Sequence, residues 1–391
     1  MTVLGLEEGK LALYPHDETW ETIAQETMRA IRAIMKEDCL AIEHVGGTSI
    51  RCAWSKPIID ILVLVSDYSV IDTYVPQLKE IGIEYLGEMV PGMRMGTILK
   101  PGQNICTHHI HFITPDCSDW QAFINIRDFC NRDPLGGTVY SDSKRLYADG
   151  NENMRVNYRN SKCDLYSVLR QCGQTMHEID LGLKSGYDFL DAFFYTALGK
   201  LEDPAFIDEA GRTVLKYRTI CGTITRAAVK LKQAAVPVHT PIMVQMSALP
   251  DRITMCLAVL FYGGIIECLP PEASEEAIAG ITPMPSAAYI ADDAFFKDIT
   301  HYRNRQTKAS RDPDEPALME PNGTGSFRTV CFSTLSDEIM QNAEMMQNME
   351  EPVLTPASYE RFSDQFTEIL AALTAGRVIQ THTAQSQESK P

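Results

Sequence analysis

A glycine turn, Gly46-Gly47-Thr48-Ser49, followed by Asp60 in an apolar run, and further on by His109 and His111, are the parts of this chain whose types and spacing point to chemistry. Two glycines let backbone N–H groups approach a phosphate closely, and Thr48 and Ser49 add hydroxyl donors where a helix can open. Asp60 lies within the stretch Ile58 to Val65, where an ionised carboxylate is costly unless something neutralises it. A bound Mg²⁺ would do so. His109 and His111 stand two apart, which puts both imidazoles on one face of a strand and His108 on the other. That arrangement serves metal ligation or paired phosphate contacts. With Mg²⁺, which prefers oxygen ligands, the histidines are left to contact phosphate or to shuttle protons. Lys56, Arg127, Lys144 and Lys162 are the cations considered for a triphosphate pocket.

Elements must hold these groups in place. The spacing predicts a short strand over Lys10–Pro15 and a helix from Asp17 to Met35 with Ile23, Met28, Ile31 and Ile34 on one side. A strand Ala41–Val45, the turn with a helical stub and a strand Ile58–Val65 follow. Next come a helix Ser69–Ile81, strands at Tyr85–Val90, Arg94–Leu99 and His109–Ile113, and helices at 119–131, 138–148 and 153–172. This is an α/β pattern built on a small mixed sheet.

With 391 residues, two domains are expected. The pattern weakens between Gln174 and Ser185 and restarts at Asp188 with Phe189, Phe193 and Phe194, so the first domain is drawn as 1–175, a linker as 176–186 and the second domain as 187–379. The polar residues 380–391 read as a disordered tail. A net charge of −17 argues against nucleic acid as a partner, since nonspecific affinity for its backbone comes from clustered Lys and Arg. No secretory signal is visible at the start, and the longest apolar run, Met255 to Tyr262, is too short to span a bilayer, so no membrane partner is expected. Eleven cysteines scattered singly, without a C-x-x-C pair, indicate free thiols in a reducing compartment. The expectation is a cytoplasmic protein.

The wording Glu43-His44-Val45-Gly46-Gly47-Thr48-Ser49-Ile50 and then Lys56-Pro57-Ile58-Ile59-Asp60-Ile61-Leu62-Val63 resembles the GrpB-like branch of the nucleotidyltransferase superfamily. His108-His109-Ile110-His111-Phe112 looks like that family's His-x-His strand, and Trp120 with Arg127-Asp128-Phe129 like its W…RDYL helix. Asp133-Pro134, Tyr140, Lys144, Tyr158 and Lys162 keep the family's order, so the likeness covers roughly residues 1–175. Two departures stand out. Ile50-Arg51-Cys52 replaces the usual Val-Pro-Gly, and Leu62 stands where transferring members carry a second carboxylate. The resemblance then makes Glu43 the further oxygen donor, giving Asp60 and Glu43 as the expected Mg²⁺ ligands.

The second half resembles the N-terminal part of adenylate-forming enzymes, the acyl-CoA synthetases and peptide-synthetase adenylation domains. Leu260 to Pro270 is similar to their L-x-A-G-x-x-x-V-P-L motif and Leu215-Lys216-Tyr217 to their L-T-Y. Asn322-Gly323-Thr324-Gly325-Ser326-Phe327-Arg328 sits where their phosphate loop is found, with Arg328 where a lysine is expected. The later adenylate-binding motifs and the lid with its catalytic lysine are missing, so a truncated, partial fold of this kind is expected. Strand 242–246, helix 251–262 and the strand after Gly263-Gly264, preceded by a helix to Leu231, suggest a doubly wound unit.

The favoured function is nucleotidyl transfer. ATP or another nucleoside triphosphate would bind with Mg²⁺ at the turn and Asp60, and a small-molecule or carrier-bound acceptor, in a specialised metabolite pathway, would attack the α-phosphate and release pyrophosphate. The alternatives are a noncatalytic accessory or scaffold protein and an ATP-dependent ligase.

Overall fold

The computed structural model describes residues 3–90, 92–149, 163–268, 289–299, 302, 307–321, 327–349, 352–354 and 362–381. The chain divides into two compact units, Met1–Leu183 and Lys184–Pro391.

In the first unit, six strands among the described residues form a mixed sheet: β1 (Leu6–Glu7), β2 (Ala41–Val45), β3 (Ile59–Leu64), β4 (Ile83–Val90), β5 (Met93–Leu99) and β6 (Ile105–Ile113). Their order is β2-β3-β6-β5-β4, with β1 paired to the start of β6. The β3/β6 pair is parallel, whereas β2/β3, β5/β6 and β4/β5 are antiparallel. Helix α1 (Thr19–Met35) buries Trp20, Ala24, Met28, Ile31 and Met35, one apolar stripe at helical spacing. That stripe and helix α2 (Ser69–Glu80) cover the sheet face formed by Ile59, Ile61, Val63, Ile110 and Phe112. Alternation along each strand sends the other set of side chains, Val45, Leu62, Met93 and Ile113, to the opposite face, where Trp120 and Phe123 of helix α3 (Asp119–Arg132) pack. Asp60, His109 and His111 belong to this second face.

Helix α4 begins at Pro134, four residues before the expected start, and runs to Ala148. Asp133 caps it by accepting from the Gly136 backbone N–H at 2.7 Å, and proline at the first position needs no partner for a missing N–H. Helix α5 (Cys163–Asp180) continues through the first part of the stretch expected as a linker. The expected strand Lys10–Pro15 shrinks to one bridge between Tyr14 and Ser55, and the paired strand lies earlier, at Leu6–Glu7. The helical stub after the glycines is a three-residue 3₁₀ turn, Gly47–Ser49.

The second unit is also α/β. It opens with α6 (Phe189–Gly199), whose Asp188 and Asp191 form a reciprocal capping box, and continues through β7 (Pro204–Ile207), β8 (Thr213–Lys216) and α7 (Tyr217–Gln233). Leu215 and Lys216 are therefore strand residues that precede the helix. β9 (Pro241–Gln245), α8 (Leu249–Tyr262) and β10 (Ile265–Cys268) make a parallel βαβ unit with Gly263 at φ +92° ending the helix. They join β11 (Tyr289–Asp292), β12 (Pro316–Pro321) and β13 (Phe327–Cys331) in the order β11-β9-β10-β12-β13. Helices α9 (Phe332–Met346) and α10 (Phe362–Thr374) follow, and β14 (Val353–Leu354) and β15 (Ile379–Gln380) extend a second sheet, β14-β15-β7-β8. The apolar run near Met255 is the interior of α8, buried from Ile253 to Tyr262, and no helix among the described residues is long and apolar enough to cross a membrane. Arg328 sits across the hairpin from Glu320 at 3.5 Å; residues 322–326 of the expected phosphate loop lie outside the described residues, as does the tail from 382 onward.

Four charges, Asp191 buried and Lys184, Asp188 and Lys308 half-buried, anchor the second unit. Lys184 and Lys308 both meet Asp188 and Asp191; the Lys308 ammonium is 2.7 Å from Asp191. Burial alone would raise Asp188, but Lys308 and Lys184 outweigh it and hold its carboxyl at about 2, below its ordinary 3.8. A depressed carboxyl stabilises the fold above its unfolded value and loses that contribution as pH falls towards the folded one. Acid titration of the second unit should therefore cost about 2 kcal/mol between pH 4 and 2, and Asp188→Asn should flatten that loss in acid-unfolding curves.

Candidate functional site

The site is assembled by strand register. Asp60 on β3 stands beside His109 on β6, and Leu62 beside His111, so the carboxylate and both imidazoles share one face of a parallel pair. Asp60 Oδ1 lies 3.2 Å from His109 Nδ1 and 3.2 Å from His111 Nε2. The three side chains are 27%, 23% and 12% exposed, so the cluster is seated in the sheet yet reachable. Phe123 of α3 stacks on His111 with ring centroids 6.0 Å apart. His108 points the other way, to Thr27 of α1 at 3.2 Å.

The glycine turn closes one side. Gly46 has φ +74° and ψ −165°, a conformation open to glycine, and a Cβ there would come within 2.5 Å of Asp60 Oδ2. At Gly47 a Cβ would come within 2.3 Å of both the Lys144 ammonium and Ser55 Oγ. The turn is thus pressed between a carboxylate and a buried cation. Ser49 donates to the Gly46 carbonyl at 2.7 Å, and Thr48 Oγ1 meets His44 Nε2 at 2.9 Å, so both hydroxyls brace the turn itself. His44, whose other nitrogen meets Glu21 at 2.9 Å, and Ser55, which accepts from Lys144 at 3.1 Å, were not among the residues expected from sequence. Their only sequence signal was proximity to the glycines.

Lys144 also donates to Tyr140 OH at 3.3 Å, and that hydroxyl meets Tyr166 OH at 3.3 Å. Arg127 is engaged elsewhere. Its Nη1 donates to Glu43 at 2.7 Å and to the His44 carbonyl at 3.0 Å, and its Nε to Asp128 at 2.8 Å, which ties α3 to β2. Lys56 is half-buried between the turn and β3. Lys162 and Tyr158 lie outside the described residues.

The donors gathered at Asp60 are the test of the expected Mg²⁺. Glu43 is ion-paired to Arg127, Leu62 is fully buried, and among the described residues the metal-ligating groups clustered with Asp60 are two imidazoles. A hard cation that selects oxygen is poorly matched to that set.

Charge distribution follows from the same contacts. Burial would push Asp60 up, but hydrogen bonds from His109 and His111 outweigh it and hold the carboxyl well below the usual range. Burial would lower His109, but Asp60, and then Cys106, outweigh that and raise it to about 9. His108, with burial as the main cause and His44 nearby, falls to about 4. At neutral pH Asp60 is charged and His109 protonated. The pair can hold a phosphate oxygen, pass a proton, or exchange that proton for a metal ion.

Known proteins resemble this chain over the same region. The GrpB protein family matches residues 10–171. The glutamate-rich protein GrpB of Alkalihalophilus pseudofirmus is 28% identical over 163 residues, covering 41% of this chain and 94% of that protein. The crystal structure of conserved protein GrpB from Enterococcus faecalis aligns at 26% identity over 42% of this chain and 99% of that one, with a TM-score of 0.39. Adenylation-domain structures are also among the structural neighbours: an artificially fused adenylation–PCP di-domain from Klebsiella oxytoca covers 50% of this chain and 39% of its own length at 16% identity and a TM-score of 0.41. The family match runs from Lys10 to Gln171 and encloses the turn, Asp60, both histidines and Lys144, so the first unit of this chain carries a GrpB-family domain, of a nucleotidyltransferase-like family.

Proposed function

We propose that the first unit is a nucleotidyltransferase-type enzyme that holds a nucleoside triphosphate such as ATP over the Gly46–Ser49 turn and passes its nucleotidyl group to a small-molecule or carrier-bound acceptor. The observation that carries this reading is the turn itself, with Gly46 against the Asp60 carboxylate and Gly47 against the Lys144 ammonium. Only glycines let the turn's backbone pack this closely on both charges. In the reaction the acceptor attacks the α-phosphorus, the bond to the bridging oxygen breaks, and pyrophosphate leaves. Lys144 offsets phosphate charge from behind the turn. His109 and His111 flank Asp60 where the phosphates would lie. Mg²⁺ held by Asp60 and Glu43 does not match the arrangement, because Glu43 is ion-paired to Arg127.

Calorimetric titration of ATP into the full chain and into Asp60→Asn, once with Mg²⁺ and once with Mn²⁺, tests the reading. Binding to the wild type should weaken by about 10-fold or more in the variant. Equal affinity in the two proteins, or no heat in either, would remove it. Given binding, pyrophosphate release across an acceptor panel identifies transfer; AMP as the product would mark a ligase working at the same site.

A further inference from the structure

We infer that Asp60, His109 and His111 are the three protein ligands of one divalent transition-metal ion, of the Mn²⁺, Fe²⁺, Co²⁺ or Zn²⁺ class and not Mg²⁺. Each residue offers one donor atom, and the three atoms lie within 4.8 Å of one another. Two of the separations, Oδ1 to Nδ1 and Oδ1 to Nε2, are 3.2 Å. Donors about 2.0–2.2 Å from a shared ion, at angles between octahedral and tetrahedral, stand roughly 3.0–3.5 Å apart. Two of the three separations, now spanned by hydrogen bonds, therefore already match those between ligands of one ion.

Donor chemistry decides the class of ion. Two imidazoles and one carboxylate suit the borderline cations and leave positions open for a substrate, whereas Mg²⁺ favours carboxylates, phosphates and water. The carboxylate that would shift the balance towards Mg²⁺, Glu43, is held by Arg127 at 2.7 Å. Leu62, the neighbour of Asp60 on the same face, is fully buried and offers no oxygen. One support for the ligands is in place: Phe123 stacks on the His111 ring with centroids 6.0 Å apart. The glycine turn packs directly on the other carboxylate oxygen, since a Cβ at Gly46 would come within 2.5 Å of Asp60 Oδ2, and this holds Asp60 in place.

The test uses metal alone, without nucleotide, on the full chain. Apo protein is titrated with Co²⁺ and followed by its visible absorption and by bound metal after gel filtration. One Co²⁺ per chain is expected, with bands of nitrogen and oxygen ligation and no thiolate charge-transfer absorption, retained against an equal concentration of Mg²⁺. His109→Gln and His111→Gln should each weaken binding by more than the roughly 10–100-fold that losing an outer partner of a ligand costs. Failure of the wild type to take up Co²⁺, a thiolate spectrum, displacement by Mg²⁺, or equal uptake by folded histidine variants would each overturn the inference. If either variant loses its far-UV circular dichroism, the wild-type spectrum and the Mg²⁺ competition decide alone. Metal uptake with no ATP binding would sink the nucleotide reading and leave this one standing, and ATP binding without metal uptake would do the reverse.

Discussion

Gly46→Ala should destabilise the first unit by about 2–6 kcal/mol and abolish binding at Asp60. Two independent costs add. The backbone at φ +74° and ψ −165° is one that residues with a Cβ adopt only under strain, about 1–3 kcal/mol. The new methyl would also meet Asp60 Oδ2 at 2.5 Å and Asp60 Cβ at 3.0 Å, an overpacking worth a further ~1–3 kcal/mol. Asp60 cannot yield easily, because its other oxygen is fixed by both histidines. The chain's three tryptophans, Trp20, Trp54 and Trp120, all lie in the first unit, so indole fluorescence in urea reads that unit alone. A midpoint unchanged from wild type would show that the turn relaxes freely and that the close approach of glycine and carboxylate is incidental.

Asp191→Ala should be the most damaging single change in the second unit. The side chain is 1% exposed, meets Lys184 and Lys308, and accepts from the Asp188 backbone N–H at 3.1 Å as half of the capping box. Removing it takes a shared, buried counter-charge from both Lys184 and Lys308, and breaking a buried ion cluster in this way costs about 3–5 kcal/mol. Adding Lys308→Met to Asp191→Ala removes one of the two ammonium groups that faced Asp191, so the double variant should recover ~1–3 kcal/mol of the loss. Hydrogen exchange in α6 measures both. If the single and double variants exchange alike, the two charges are not coupled.

Local chemistry was the legible part of this sequence. The glycine pair, the acid in an apolar strand and the His-x-His alternation depend on period-two geometry and on residue type, and both survive into the fold as read. Helix α1 was legible for the same reason, although its buried stripe runs through Trp20, Ala24 and Met35 and leaves Ile23 and Ile34 only partly buried at its edge. Partner choice across long separations was not legible. Glu43 is drawn off by Arg127, 84 residues away, and Lys144 reaches Ser55 across 89, and neither pairing has a local signature. Lys10–Pro15 has strand-like residues, but only Tyr14 finds a partner, because pairing depends on the neighbouring strand as much as on propensity. The start of α4 was hidden by Gly136 and Gly137, poor helix formers that are tolerated there because Phe129 and the Cys130 carbonyl crowd their Cα atoms and leave no room for a side chain.

The position of β6 between β3 and β5 has a consequence for synthesis. The β4–β5 and β5–β6 pairs join consecutive strands and can form as their residues emerge, but the parallel β3–β6 pair must wait until a segment containing a helix and two strands has been laid down and folded back. Asp60 leaves the ribosome 49 residues ahead of His109, so a nascent chain carries its carboxylate for that whole interval without either imidazole beside it. The order in which the chain is made therefore separates the acid from its partners, and the long-range pairing of β3 with β6 is the event that brings Asp60 to its two imidazoles.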